Sequence, residues 1–204
     1  MQYSSKTIAG LVLFIGATLL VLAVIVSEGI DTVYTFSEPM NWLADGAAAP
    51  IFRSAFVIFG LSTIVGAYLI ARPLRKQSFN DKLFWLLMTL TGIGAVGVGA
   101  FNENLGLVHV AAVRIFWVFA IPAAILSFKF QRKPFAYISI LLGVLTLVAV
   151  VLFLASVYVG PSTFLGITRG GMQRMIQYPI MLWMLGFGAH LAATSSEPTQ
   201  TAEA

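Results

Sequence analysis

Six stretches of the chain are long in apolar residues and nearly free of charge, and a polar break separates each from the next. Thr7–Val26 is an uninterrupted apolar run. The others extend from about Ser54 to Ala71, Leu83 to Phe101, Leu105 to Phe128, Phe135 to Val159 and Gln173 to Ala193. A helix needs about 20 predominantly apolar residues to cross a bilayer. The pattern therefore predicts an all-α bundle of six transmembrane helices, a single domain over residues 1–193. The runs lack the in/out alternation of lipid-facing strands, which argues against a β-barrel. Lys6 before the first run is compatible with a signal peptide. That run exceeds the ~7–15 apolar residues of such a segment, and no small-x-small cleavage site precedes Glu28, so a helix is expected. The end of the chain, 194–204, is polar and is expected to be a disordered cytoplasmic tail.

Composition turns the pattern into a class. Hydrophobic residues make up 59% of the chain and charged residues 10%, against about 45–50% and about 25% in soluble domains. So little polar side chain cannot cover a water-facing surface, which excludes a soluble enzyme, a nucleic-acid-binding module and a disordered chain. The net charge of +4 does not reverse this, because the basic residues sit at the ends of spans. Lys6, Arg72, Arg75, Lys76, Lys82, Lys129, Arg132 and Lys133 fall on one side. Glu28, Asp31, Glu38, Asp45 and Glu103 fall on the other, with Arg53 and Arg169 at its margin. The positive-inside rule then predicts both termini in the cytoplasm of a multi-pass cell-membrane protein. Cysteine is absent, so no disulfide, thiolate metal site or Cys nucleophile is available, and no cofactor is expected.

The loops carry further signals. In the first outer loop, the run from Ser37 to Gly46 predicts a short interfacial helix, with Ser37 as cap, Glu38 and Pro39 in the first turn and Gly46 as the stop. Tyr34, Phe36 and Trp42 are its expected interface anchors. Pro161, Gly166, Gly170 and Gly171 predict a sharp turn between spans 5 and 6. Gly92-Ile-Gly94-Ala-Val-Gly97 spells GxGxxG, but inside an apolar run rather than in a turn after a strand, so helix packing is the better reading. His109 and His190 are the two histidines. They are expected near opposite faces of the membrane and cannot share a metal or haem.

One polar constellation lies in the outer half. It comprises Asn41 and Asp45 of the first loop, Arg53 at the start of span 2, and Asn102, Glu103 and Asn104 between spans 3 and 4. His109 and Arg114 follow on span 4, with Gln173, Arg174, Gln177 and Tyr178 on span 6. Arg174, Gln177 and Tyr178 share a helix face. Arg114 lies about 7–8 Å below His109 along the axis and is costly facing lipid, so it is expected to face the interior and pair with Asp45 or Glu103. Three readings remain open. The cluster is hydrogen-bond glue between hairpins, with Arg53 and Arg174 snorkelling to lipid phosphates. It is a pocket for an anionic or polar headgroup, formed by Asn41, Asp45, Arg53, Asn102, Glu103, His109, Arg114, Arg174 and Gln177. Or it is a lipid hydrolase or transferase site with His109 as general base and an arginine stabilising an oxyanion. The expected partners are membrane lipids, with a homo-oligomer or a larger membrane complex as the structural alternative, and no nucleic acid.

These segments resemble a family of prokaryotic, largely archaeal, six-span membrane proteins, domain of unknown function 998. The resemblance covers nearly the whole chain. It rests on Asn41-Trp-Leu-Ala-Asp45-Gly46 with Pro50-Ile-Phe52, on Gly94 through Gly99-Ala-Phe101 to His109, and on Gly170-Gly171-Met172-Gln173-Arg174 with Pro179 and Trp183. It implies the six-span architecture and no activity. Two departures stand out. Ala44 takes the place of a serine common in the first-loop motif, with one residue missing between Asp45 and Gly46. Gln173 replaces an acid that often precedes the span 6 arginine.

Overall fold

The computed structural model describes residues 3–71, 78–160 and 163–194. Among them run six long helices: α1 (Ser5–Ile30), α2 (Ala49–Ile70), α3 (Phe79–Ala100), α4 (Leu107–Leu126), α5 (Phe135–Tyr158) and α6 (Arg169–Thr194). Helices α1 to α5 are long and apolar enough to cross a membrane. The chain is thus a membrane-embedded helical protein. Helix α6 is as long as α1 but carries Arg169, Gln173, Arg174, Gln177 and His190 along its length. Arg72, Arg75 and Lys76 of the expected basic loop, and residues 195–204 of the expected tail, lie outside the described residues.

Local chemistry fixes several ends. The Ser4 hydroxyl accepts from the Thr7 backbone N–H and caps α1. Ser78 and Asp81 cap α3 reciprocally, each side chain accepting from the other's backbone N–H. Pro122 and Pro179 lie inside α4 and α6, which continue through them.

Each helix packs against its neighbour in the chain, and α6 closes the ring against α1 while touching α4. Among the pairs that form the ring, the α4–α5 seam is the loosest. Small residues bring helices close. A Cβ on Gly92 would lie 2.7 Å from the Gly60 carbonyl oxygen on α2, and one on Gly97 would lie 2.7 Å from the Ala112 Cβ on α4. Gly94 meets the backbone of Phe116 still more closely. The GxGxxG run is therefore a two-sided packing surface for α2 and α4, as expected of small residues in a membrane helix. Aromatic rings fill the interior. Phe116 meets Phe56 and Phe59 edge-on at centroid distances of 6.2 and 6.1 Å, and Phe84 meets Phe187 at 5.4 Å. The Trp183 indole donates to the Ser127 hydroxyl at 2.9 Å, pinning α6 to the end of α4.

One loop differs from expectation, and another turns sharply as expected. The first carries a 3-10 turn, Met40–Ala44, in place of a capped α-helix. Pro39 stands at its N-cap without a side-chain cap bond, and the Ser37 hydroxyl instead pairs with that of Thr35 at 2.8 Å. Met40, Leu43 and Ala44 are all buried against the bundle, so packing overrides the capping signal. The last loop folds as a two-stranded antiparallel hairpin, β1 (Thr163–Phe164) and β2 (Ile167–Thr168). Leu165 and Gly166 at its tip both take positive φ, as a two-residue hairpin turn requires.

Candidate functional site

The end of the bundle bearing the α1–α2, α3–α4 and α5–α6 loops gathers the polar residues into two separate assemblies. The first is centred on Arg174, one turn into α6 and 2% exposed. Its Nε and Nη2 donate to Oε1 of Glu28 at 3.1 and 2.5 Å, and Nη2 also donates to the Tyr34 hydroxyl at 2.6 Å. Nη1 donates to the carbonyls of Phe36 and Gly170, each at 3.0 Å. The guanidinium lies 4.0 Å from the centroid of Phe36. All five N–H groups thus have acceptors. Gly170 makes room for this loop, since a Cβ there would collide with the carbonyls of Phe36 and Glu38. Burial pushes the Tyr34 phenol up to about 12 against the pull of Arg174, so it stays protonated, and it donates to the Glu38 carbonyl at 3.1 Å. Arg174–Glu28 is the one ion pair among the described residues.

This arrangement corrects the expected role of Arg174. It is buried rather than snorkelling to phosphate, and Glu28, the Tyr34 hydroxyl and the carbonyls of Phe36 and Gly170 occupy its donors. Glu28 sits near the end of α1 and in sequence reads as one more outer charge. Only the fold shows that it faces α6.

The second assembly is a groove of about 370 Å³ at the α4–α5 seam. Asn41, Glu103, His109, Arg114 and Tyr158 line its polar part, and Val113, Trp117, Phe153, Leu154 and Val157 line its apolar part. Trp117 and Phe153 meet edge-on across the seam at 5.4 Å. Arg114 does not face the interior and does not pair with Asp45 or Glu103. It is exposed on α4, and its Nη2 donates to the Tyr158 hydroxyl on α5. The acids have other neighbours: Asp45 accepts from Asn104 Nδ2 at 3.3 Å, and the Asn41 amide attends Glu103. Tyr158 is the groove residue that sequence reasoning missed. Its signal was a lone tyrosine ending the most apolar span, which reads as a routine interface anchor.

His109 is 2% exposed. Its Nδ1 lies 2.6 Å from the Phe101 carbonyl oxygen, across the turn from α3. A carbonyl only accepts, so Nδ1 carries a proton, and in the neutral form of the ring Nε2 is then an acceptor. Nε2 is buried and has no hydrogen-bond partner. Burial raises the Glu103 carboxyl above its ordinary range, while nearby His109 and Asn41 pull it back down.

The remaining expected site residues fall outside the groove. Arg53 donates from Nε and Nη2 to the carbonyls of Gly99 and Ala100 at 3.0 and 2.9 Å, stapling α2 to the end of α3. Asn102 precedes the short 3-10 turn Glu103–Leu105 and makes no cap bond. Asp45 lines a neighbouring vestibule of about 530 Å³ with Asp31, Glu38 and Glu103. Gln177 and Gln173 line a cavity of about 10 Å³ behind the groove, which shares Asn41, Val113 and Trp117 with it. Gln173 Oε1 and Gln177 Nε2 are buried without partners.

A single family model matches residues 7–190, from the first turn of α1 to the last of α6. The chain belongs to the family of proteins of unknown function DUF998. Neither a curated protein nor a solved structure matches it. For this DUF998 protein, function must be argued from its own geometry. The motif residues of the resemblance divide between the two assemblies: Arg174 and Gly170 build the ion-pair knot, whereas Asn41 and His109 reach the groove.

Proposed function

We propose that this protein binds a membrane amphiphile in the α4–α5 groove, with the headgroup beside Arg114 and His109 and a hydrocarbon chain along Trp117, Phe153, Leu154 and Val157. The observation that carries the reading is the groove's division into a polar and an apolar part at the loosest seam of the bundle. Arg114 supports it further. A guanidinium exposed within an apolar helix is costly unless it meets an anion, water or a headgroup, and its partner among the described residues is the Tyr158 hydroxyl. The volume lies within the ~300–1,000 Å³ of small-molecule sites.

In this reading α6 is the sixth span, both termini are cytoplasmic, and the groove opens toward the outer leaflet. The charge distribution supports that orientation, since Lys82, Lys129, Arg132 and Lys133 lie at the end opposite the acidic loops. A cysteine-free chain makes the check direct: an impermeant maleimide on intact cells should label Val33→Cys and spare Lys133→Cys, and the reverse result overturns the orientation. For the site, lipid retained through gentle detergent purification is measured by mass spectrometry. Arg114→Gln should lower retention several-fold, and Leu154→Trp, which fills the apolar part, should do the same. Retention unchanged in both variants refutes the amphiphile reading.

A further inference from the structure

We infer that the groove selects a phosphodiester lipid whose headgroup carries its own hydrogen-bond donor, a hydroxyl or an ammonium N–H, and that His109 Nε2 is the atom that reads this donor. The inference rests on the amphiphile reading above and adds to it the chemical class of the ligand. Arg114 is the one cation lining the groove. Its guanidinium can only donate, so it calls for an anionic oxygen, which the phosphodiester supplies.

The other polar groups make the opposite demand. With the His109 ring in its neutral form, the Phe101 carbonyl fixes the proton on Nδ1. Nε2 is left as a buried acceptor with no partner on a residue that lines the groove. Glu103 beside it is an acceptor when ionised. An unpaired buried acceptor is a standing penalty that a ligand O–H or N–H removes and a methyl group does not. A quaternary ammonium or a bare methyl ester satisfies Arg114 alone. A glycerol or ethanolamine headgroup satisfies Arg114 and His109 together.

The test compares two lipids of equal charge, phosphatidylglycerol and phosphatidylmethanol, which differ in whether the headgroup has hydroxyls. Each is titrated against the full-length protein in detergent micelles, and binding is read by native mass spectrometry. Wild type should prefer phosphatidylglycerol by about tenfold, the worth of one hydrogen bond to an otherwise unpaired buried group. His109→Phe should erase the preference while leaving phosphatidylmethanol affinity within about twofold. Arg114→Gln should weaken both lipids alike.

A measurement on the unmutated protein covers the case in which His109→Phe misfolds. The chain has two histidines, so ¹⁵N-histidine labelling gives few imidazole resonances. The His109 Nε2 signal should move with phosphatidylglycerol and hold still with phosphatidylmethanol. If both lipids bind through Arg114 with equal affinity, or the preference survives His109→Phe, the donor inference fails and the amphiphile site stands. If neither lipid binds, or Arg114→Gln changes nothing, both fail together.

Discussion

Arg174 and Arg114 show how one residue type takes two roles at the same end of a bundle. Arg174 is enclosed, with a carboxylate, a phenol and two backbone carbonyls on its five donors. Removing one member of a buried pair leaves an uncompensated charge and costs about 3–5 kcal/mol. Arg174→Gln is expected to destabilise the protein by that amount, measured by denaturation in detergent, because it strands Glu28. Arg174→Lys should recover only part of the loss, since an ammonium cannot reach the carboxylate and the loop carbonyls in fork geometry. Neither change should alter headgroup preference in the groove. The sequence reading set both arginines at one level of the bundle, but level is a single coordinate. Which way a side chain turns about its helix depends on the neighbour that arrives there. Glu28 on α1 stands far from Arg174 in the chain, and no local pattern reports that α1 and α6 are adjacent.

At the scale of elements, the small residues of α3 set how closely its neighbours approach. Gly94 lies against the backbone of Phe116 on α4, where nothing can yield by changing rotamer. Gly94→Ala is therefore expected to cost about 1–3 kcal/mol through forced separation of α3 and α4. Gly186 on α6 has open space where its Cβ would stand. Gly186→Ala should be neutral or stabilising by up to about 1 kcal/mol, from helix propensity. Equal effects of the two substitutions in thermal melts would remove close packing as the explanation. The helices themselves were legible because an apolar run twenty residues long has few alternatives; α1 and α3 begin before their runs, next to the capping residues Ser4 and Ser78, whereas α4 lies within its run. The loops were less so. Ser37 followed by Glu38 and Pro39 satisfies the rules for starting a helix, yet burial of Met40, Leu43 and Ala44 drew the segment into a tighter turn.

For the whole molecule, the ring of helices is unevenly closed. Helices α1, α2, α3 and α4 are locked by glycine crossings, and α1 and α6 by the Gly10–Gly188 approach and the Arg174–Glu28 pair. Helix α5 meets α4 through one glycine, Gly143, whose added Cβ would lie 2.7 Å from Ile125 Cγ1 and 3.3 Å from the Ile121 carbonyl oxygen. It turns Ala136, Ser139, Gly143, Thr146, Ala149 and Ser156 inward and most of its remaining surface outward. Its membrane-crossing stretch is 28% buried, against 56% for α3. Local opening follows packing, so backbone amides in α5 should exchange with deuterium at lower free-energy cost than those in α3. Phosphatidylglycerol added to the micelles should then slow exchange in α5 and the end of α4 and leave α2 and α3 unchanged. Uniform slowing throughout the bundle would count against this. Under the proposed amphiphile site, the seam would make one wall of the bundle partly a property of the surrounding lipid: a molecule lodged there would act as mortar, and the protein's rigidity would become a readout of which lipids the membrane contains.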